Sequence, residues 1–253
     1  PIRSPWMFGL FCIYFPSIVS GPIKRYPHFT GQLQKGLPLP SKAGMTLEGG
    51  AQVLLGFFKK MVIADNAVVL IAILEKREDW GPLQVVILMG LLSIRILFDF
   101  SGYSDIAIGL SKMIGLKLPA NFNYPYIAQN LSDFWRRWHM SLSSWIRDYI
   151  YFPLGGSRRG PYRRAFNALA AMALCGAWHG AAWNFVVWGF YHGLGLTLHA
   201  AAEKISPTPE NRPLWSKGLA IGINFAFVSY GWILFFYPLP RVWELTKSLL
   251  GVD

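Results

Sequence analysis

The sequence predicts an all-α fold, that of a polytopic membrane protein, and three observations carry the expectation. First, 53% of the residues are hydrophobic, 16% aromatic and only 15% charged, with a mean hydropathy of +0.32, which is too apolar for an ordinary soluble domain of this length. Second, the apolar residues gather into runs near the ~20 residues that a spanning helix needs, and the basic residues collect between them. Third, Leu131 to Gly156 repeats its aromatic residues at helical spacing. The 24 Lys+Arg against 13 Asp+Glu give a net charge of +11. Such an excess could serve nucleic acid, but basic residues placed between apolar runs meet anionic lipid headgroups more simply. Membrane lipids are therefore an expected partner, and nucleic acid is not. Cys12 and Cys175, the two cysteines, both lie in apolar runs, which argues against a disulfide framework and against a zinc site. The chain opens at Pro1 and goes almost directly into an apolar run. It reads as one membrane-embedded domain over residues 1–253, a piece of a longer protein.

Taken in order, Trp6 to Ser20 is apolar but short of a full span. Gly21 to Gly50, rich in Pro and Gly and basic at Lys24, Arg25, Lys35 and Lys42, reads as a loop on one aqueous face. Ala51 to Leu74 is apolar apart from Lys59, Lys60 and Asp65. Charges so deep are costly unless paired or near an interface, so an interfacial helix turning into a span near Met61 is expected. Glu75 to Asp79 is a charged turn, and Pro82 to Phe98 a span interrupted by Arg95. In Asp99 to Gly109, DFSGYSDIAIG, apolar and polar residues mix. Asp99 and Asp105 either cap a helix or pair with Arg95, or else Tyr103, Ser104 and Asp105 line a polar cavity. Pro119 to Gln129 is an aromatic, Asn-rich loop.

On a helix of about 100° per residue, Leu131, Phe134, Trp135, Trp138, Leu142, Trp145 and Tyr149 fall on one stripe, with Arg137, Ser141, Ser144 and Asp148 opposite. Asn130 and Asp133 are spaced like a capping box, and Pro153, Gly155 and Gly156 supply a stop. A face of tryptophans flanked by Arg136, Arg137 and Arg147 suits an amphipathic helix lying in the headgroup layer. His139 sits at the edge of that stripe. The basic loop SRRGPYRR, Ser157 to Arg164, is expected to face the cytoplasm. Phe166 to Ala202 is apolar and long enough for two short spans, or for one span and a re-entrant piece. Gly176 with Gly180, and Gly189 with Gly193, have the spacing that lets helices approach closely. On one continuous helix Trp183, Val186 and Phe190 share the face of His179, and His192 points away. Glu203 to Lys217 is a polar loop, and Gly218 to Tyr237 the last clear span, ended by Pro238 and Pro240.

The chemistry rests on histidine. Of the five, His28 lies in a basic loop, His199 near a helix end, and His192 away from His179, so these three read as structural or solvated. His179 lies in an otherwise apolar run, WHGAAW. It is either a core histidine bonded to a neighbouring helix carbonyl or a neutral imidazole able to accept a proton. His139 and His179 supply two ligands where a metal needs three or four, so no metal is expected. No GxSxG elbow or phosphate loop occurs. A histidine base that removes a proton from a hydroxyl as it attacks an acyl donor remains.

At these residues a resemblance appears. SDFWRRWHMSLSSWIRDYIYFPLGG followed by WHGAAWNFVVWGFYHG resembles the membrane-bound O-acyltransferase (MBOAT) family, in its bacterial, alginate O-acetyltransferase-like branch. GPIKRYPHF, GFFKKMVIADN, DFSGYSDIAIGLSKMIG and NFNYPY resemble it too, so the likeness covers nearly the whole chain, and PLGG before a basic loop favours the polysaccharide-acetylating subgroup. The resemblance implies an MBOAT-like helical funnel with interfacial amphipathic helices, its N-terminal spans absent here, in a bacterial cytoplasmic (inner) membrane. It implies no bound cofactor, with an acyl thioester, acetyl-CoA or an acyl carrier protein, as donor substrate. The expected acceptor is a polysaccharide hydroxyl, and the expected protein partner an extracytoplasmic acetyltransferase. The family's near-invariant histidine matches His179. Its second position, histidine in this branch and asparagine in several eukaryotic members, matches His139. Trp135, Trp138, Tyr103, Ser104 and Asp105 are carried over as cavity lining and substrate contacts. Two other readings stand beside this one: an acyl conduit that hands acetyl to a separate transferase, and a transporter that uses buried His and Asp as a proton relay. Transporters commonly show paired repeat halves, and no repeat is visible in the sequence.

Overall fold

A computed structural model describes residues 4–37, 43–209 and 211–252; Lys42, part of the expected basic loop, lies outside them. The described residues are helical, with no strand among them. The chain divides into two compact units, Pro1–Val69 with Ile94–Phe122, and Leu70–Ser93 with Asn123–Asp253.

The first unit holds α1 (Pro5–Ile13), α2 (Tyr26–Gln34), α3 (Ala43–Phe57), the start of α4 (Asp65–Glu75) and the C-terminal part of α5 (Pro82–Met113). Helix α2 lies inside the expected loop. Pro27 in its first turn, where a fixed φ suits the helix and no N–H is needed, accounts for it. Tyr14, Phe29 and Leu116 form its core, and the Tyr14 hydroxyl donates to Ser111 Oγ at 2.8 Å. Lys24 Nζ lies 4.7 Å from the Phe11 ring centroid.

Between α3 and α4 the backbone takes a π-helical turn, Phe58–Ala64, which carries the two deep lysines. Both are paired. Lys59 meets Asp105 at 2.5 Å, and Lys60 meets Asp65 at 2.7 Å and Asp99 at 2.8 Å. Asp99 and Asp105 are thus each paired with a lysine. DFSGYSDIAIG continues α5 without a break, because its small and acidic residues are used between helices. A methyl group on Gly102 would stand 2.8 Å from the Gly56 carbonyl oxygen, and one on Gly109 2.6 Å from that of Gly49.

The second unit holds the N-terminal turns of α5 with α6 (Leu131–Arg137), α7 (Met140–Ile146), α8 (Gly160–His179), α9 (Trp183–Ile205), α10 (Leu214–Phe236) and α11 (Leu239–Leu250). Helices α5, of 32 residues, and α10, of 23, are long and apolar enough to cross a membrane, at about 48 and 35 Å. Helices α8 and α9 pack backbone to backbone. A methyl on Gly176 would stand 2.1 Å from the Phe185 carbonyl oxygen, and one on Gly189 2.2 Å from that of Met172, as the glycine spacing anticipated. Asn184 Nδ2 donates to the carbonyls of Leu234 (3.3 Å) and Phe235 (3.0 Å), tying the start of α9 to the end of α10. Ser93 Oγ donates to Ser229 Oγ at 2.8 Å, linking α5 and α10.

The expected single amphipathic helix is instead two short ones and a π-helical turn, Arg147–Tyr151. Asn130 caps α6, its side chain accepting from the Asp133 backbone N–H at 2.8 Å. The chain then turns at Trp138 and His139, so Trp138 and Ser141 are buried while Tyr149 is exposed.

Candidate functional site

His139 occupies the corner between α6 and α7 with φ 42° and ψ 52°, in the left-handed region. The corner is held from both sides. The Trp138 N–H donates to the Phe134 carbonyl at 2.8 Å, and the Ser143 N–H to the His139 carbonyl at 2.9 Å. Ser143 Oγ donates to the Trp138 carbonyl at 3.1 Å. Arg137 Nε donates to Asp133 Oδ2 at 3.0 Å, and the Arg137 carbonyl accepts from the Asn123 N–H at 2.9 Å. The His139 side chain is buried, at 4% exposure. Helices of seven residues, about 10 Å long, do not span a bilayer, so His139 belongs to an embedded corner rather than to a spanning segment. Burial, and next the like charge that a protonated His179 places nearby, hold its imidazole down to about 3 from 6.5.

His179 is the last residue of α8, half-buried, where Gly180 breaks the helix. Its ring is walled by Trp178 at 4.9 Å, Phe235 at 5.1 Å and Trp188 at 5.4 Å between centroids. Trp188 stacks with Trp232 at 6.1 Å, and Trp232 lies 4.9 Å from Trp138, next to His139 in the chain. Trp135 meets Trp188 at 5.9 Å. His179 and both tryptophans singled out in the sequence thus belong to one aromatic cluster, and the electrostatic effect of His179 reaches His139, next to Trp138. The ring neighbours of His179 on α9 are Phe185 and Trp188, whereas Trp183 and Phe190, expected on its face, are exposed. The break at Gly180–Ala182 resets the helical phase on which that expectation rested.

His192, read as structural or solvated, is structural. It lies fully buried on α9 among Trp135, Trp188, Phe134 and Phe227, at 5.3, 5.0, 6.3 and 5.8 Å between centroids. Tyr103, Ser104 and Asp105 lie on α5 in the first unit. Ser104 Oγ accepts from Asn121 Nδ2 at 3.2 Å, and Asp105 accepts from Gln52 Nε2 at 3.2 Å besides pairing with Lys59. Each of these two side chains thus has a structural partner. Among the described residues no group of three or more His, Cys, Asp or Glu side chains converges as a metal would require.

Helices able to span a bilayer, a helix corner set by a strained buried histidine, and a second imidazole in an aromatic wall define a membrane-embedded helical protein with a polar centre. The chain belongs to the membrane-bound O-acyltransferase family, whose model matches residues 4–237. It is 38% identical over 232 residues to the "Probable alginate O-acetylase AlgI" of Azotobacter vinelandii, covering 90% of this chain and 44% of that protein. It is 36% identical over 249 residues to the peptidoglycan O-acetyltransferase of Helicobacter pylori, covering 97% and 47%. With the teichoic acid D-alanyltransferase of Bacillus subtilis it shares 35% identity over 238 residues, covering 89% and 60%. The chain spans about half the length of the first two of these relatives.

Proposed function

We propose that this chain carries the reaction centre of a bacterial inner-membrane, multi-pass O-acyltransferase. It moves an acetyl group from a cytoplasmic thioester, acetyl-CoA or an acyl carrier protein, to a hydroxyl of an exported or cell-surface polysaccharide. The observation that supports this most is a buried His139 within electrostatic reach of a half-buried His179 that stands in an aromatic wall. In this reading His179 accepts the proton of the acceptor hydroxyl. The oxygen attacks the thioester carbonyl, the carbon–sulfur bond breaks, and the imidazolium returns the proton to the leaving thiolate. His139 hydrogen-bonds the donor carbonyl or orients the substrate. The aromatic wall keeps water from the thioester, which would otherwise hydrolyse. Relatives named for alginate, peptidoglycan and teichoic acid support a cell-envelope polymer as the class of acceptor.

A general base contributes roughly 10²–10⁴ in rate. His179→Ala is therefore expected to abolish O-acetylation of the surface polymer, measured by mass spectrometry, while the protein's level in the membrane stays unchanged. Near-normal acetylation by that variant sinks the proposal. The acetyl group reaches the polymer either directly or through an extracytoplasmic acetyltransferase partner. The purified full-length protein with donor and polymer, assayed with and without the partner, separates the two routes.

A further inference from the structure

Trp135, Trp188 and His192 share a property that aromatic packing does not explain. Trp135 Nε1, Trp188 Nε1 and both ring nitrogens of His192 are buried and have no hydrogen-bond partner among the described residues. Each such group is costly when left unsatisfied, and buried indole N–H groups ordinarily find an acceptor. Four of them on three touching rings therefore call for a common cause. The centroid separations are 5.0 Å (Trp188–His192), 5.3 Å (Trp135–His192) and 5.9 Å (Trp135–Trp188). On the α10 side the imidazole packs against the backbone of Gly231, where a side chain has no room. A methyl on the buried Gly231 would stand 2.9 Å from His192 Nε2, and its next nearest neighbour, Tyr191 Cε1, 3.4 Å away.

We propose that Trp135, Trp188 and His192 form a binding niche for one oxygen atom, one ring removed from His179 across Trp188. The two indole N–H groups donate to its lone pairs, and the neutral imidazole completes the set as donor or acceptor. Two sources share this chemistry: an ordered water, and the carbonyl oxygen of the transferred acyl group. Assigning the oxygen to the acyl group rests on the acyl-transfer reading above, whereas the niche itself does not.

Difference ultraviolet resonance Raman spectra, full-length protein in lipid nanodiscs minus Trp135→Phe or Trp188→Phe, report the hydrogen bonding of each indole N–H. Phe keeps a ring in each position, so the packing survives the substitution. The spectra are recorded without donor and with a carbonyl-bearing thioether analogue of acetyl-CoA that cannot transfer its acyl group. Bonded indoles that ignore the analogue identify water, and indoles that become bonded or change with it identify the acyl carbonyl. Free indole N–H groups in both states overturn the niche. In the carbonyl case Trp188→Phe also lowers turnover by up to about tenfold. A wild-type protein that transfers no acyl group defeats the acyl-transfer reading, while the spectra without donor still decide the niche.

Discussion

His139 shows how much one residue can carry. A left-handed backbone costs a residue with a Cβ about 1–2 kcal/mol, and His and Asn bear it better than branched residues. The family's alternation between His and Asn at this position, implied by the resemblance, therefore has a backbone reason as well as a chemical one. His139→Val is expected to lower stability by about 1–2 kcal/mol more than His139→Asn, read as the difference between their thermal midpoints; equal midpoints contradict the argument. The buried ring also links stability to pH. Its folded pKa of about 3 lies below the ordinary 6.5, so the unfolded chain binds more protons between those values. The contribution is fully present above about 6.5 and is lost as pH falls toward about 3. Wild type minus His139→Asn should lose stability on acidification through that window, and a flat difference would show that the ring is not buried. The sequence placed His139 at the edge of an apolar stripe but did not reveal the turn, because Trp138–His139 contains neither Gly nor Pro.

Among the elements, α8 and α9 position the site. Their contact is close enough that Gly189 has no room for a methyl group, whereas a methyl on Gly222 of α10 would meet nothing within 4 Å. Gly189→Ala is thus expected to cost about 1–3 kcal/mol or more through overpacking. Gly222→Ala should be neutral or stabilising by up to about 1 kcal/mol, since Ala favours helix. Accumulation in the membrane and thermal midpoint both read the contrast, and equal effects would mean that α8 and α9 do not touch backbone to backbone. This contact was legible in the glycine spacing, and so was the pairing requirement of Lys59 and Lys60. The position of the break was not. Gly180–Ala182 sits inside an apolar run whose composition does not change across it, and a three-residue interruption is enough to bring Phe185 and Trp188 to the ring of His179.

At the scale of the whole molecule, orientation follows from where charge and apolar surface lie. Large apolar side chains stand exposed along the long helices, among them Leu54 and Met61 in one unit and Phe190, Leu198 and Ile223 in the other, as lipid-facing surface requires. Arg158, Arg159, Arg163 and Arg164, all exposed, gather before and at the start of α8. Each is worth about 1 kcal/mol near an anionic leaflet, and translocating such a cluster is disfavoured, so this loop should stay on the cytoplasmic side. Cys175 is buried and Cys12 exposed. A Ser157→Cys variant in a Cys12→Ser background therefore offers one accessible thiol among the described residues, at the loop. A membrane-impermeant maleimide should label it in inverted vesicles and leave it unlabelled in intact spheroplasts. The reverse pattern would put the basic loop outside.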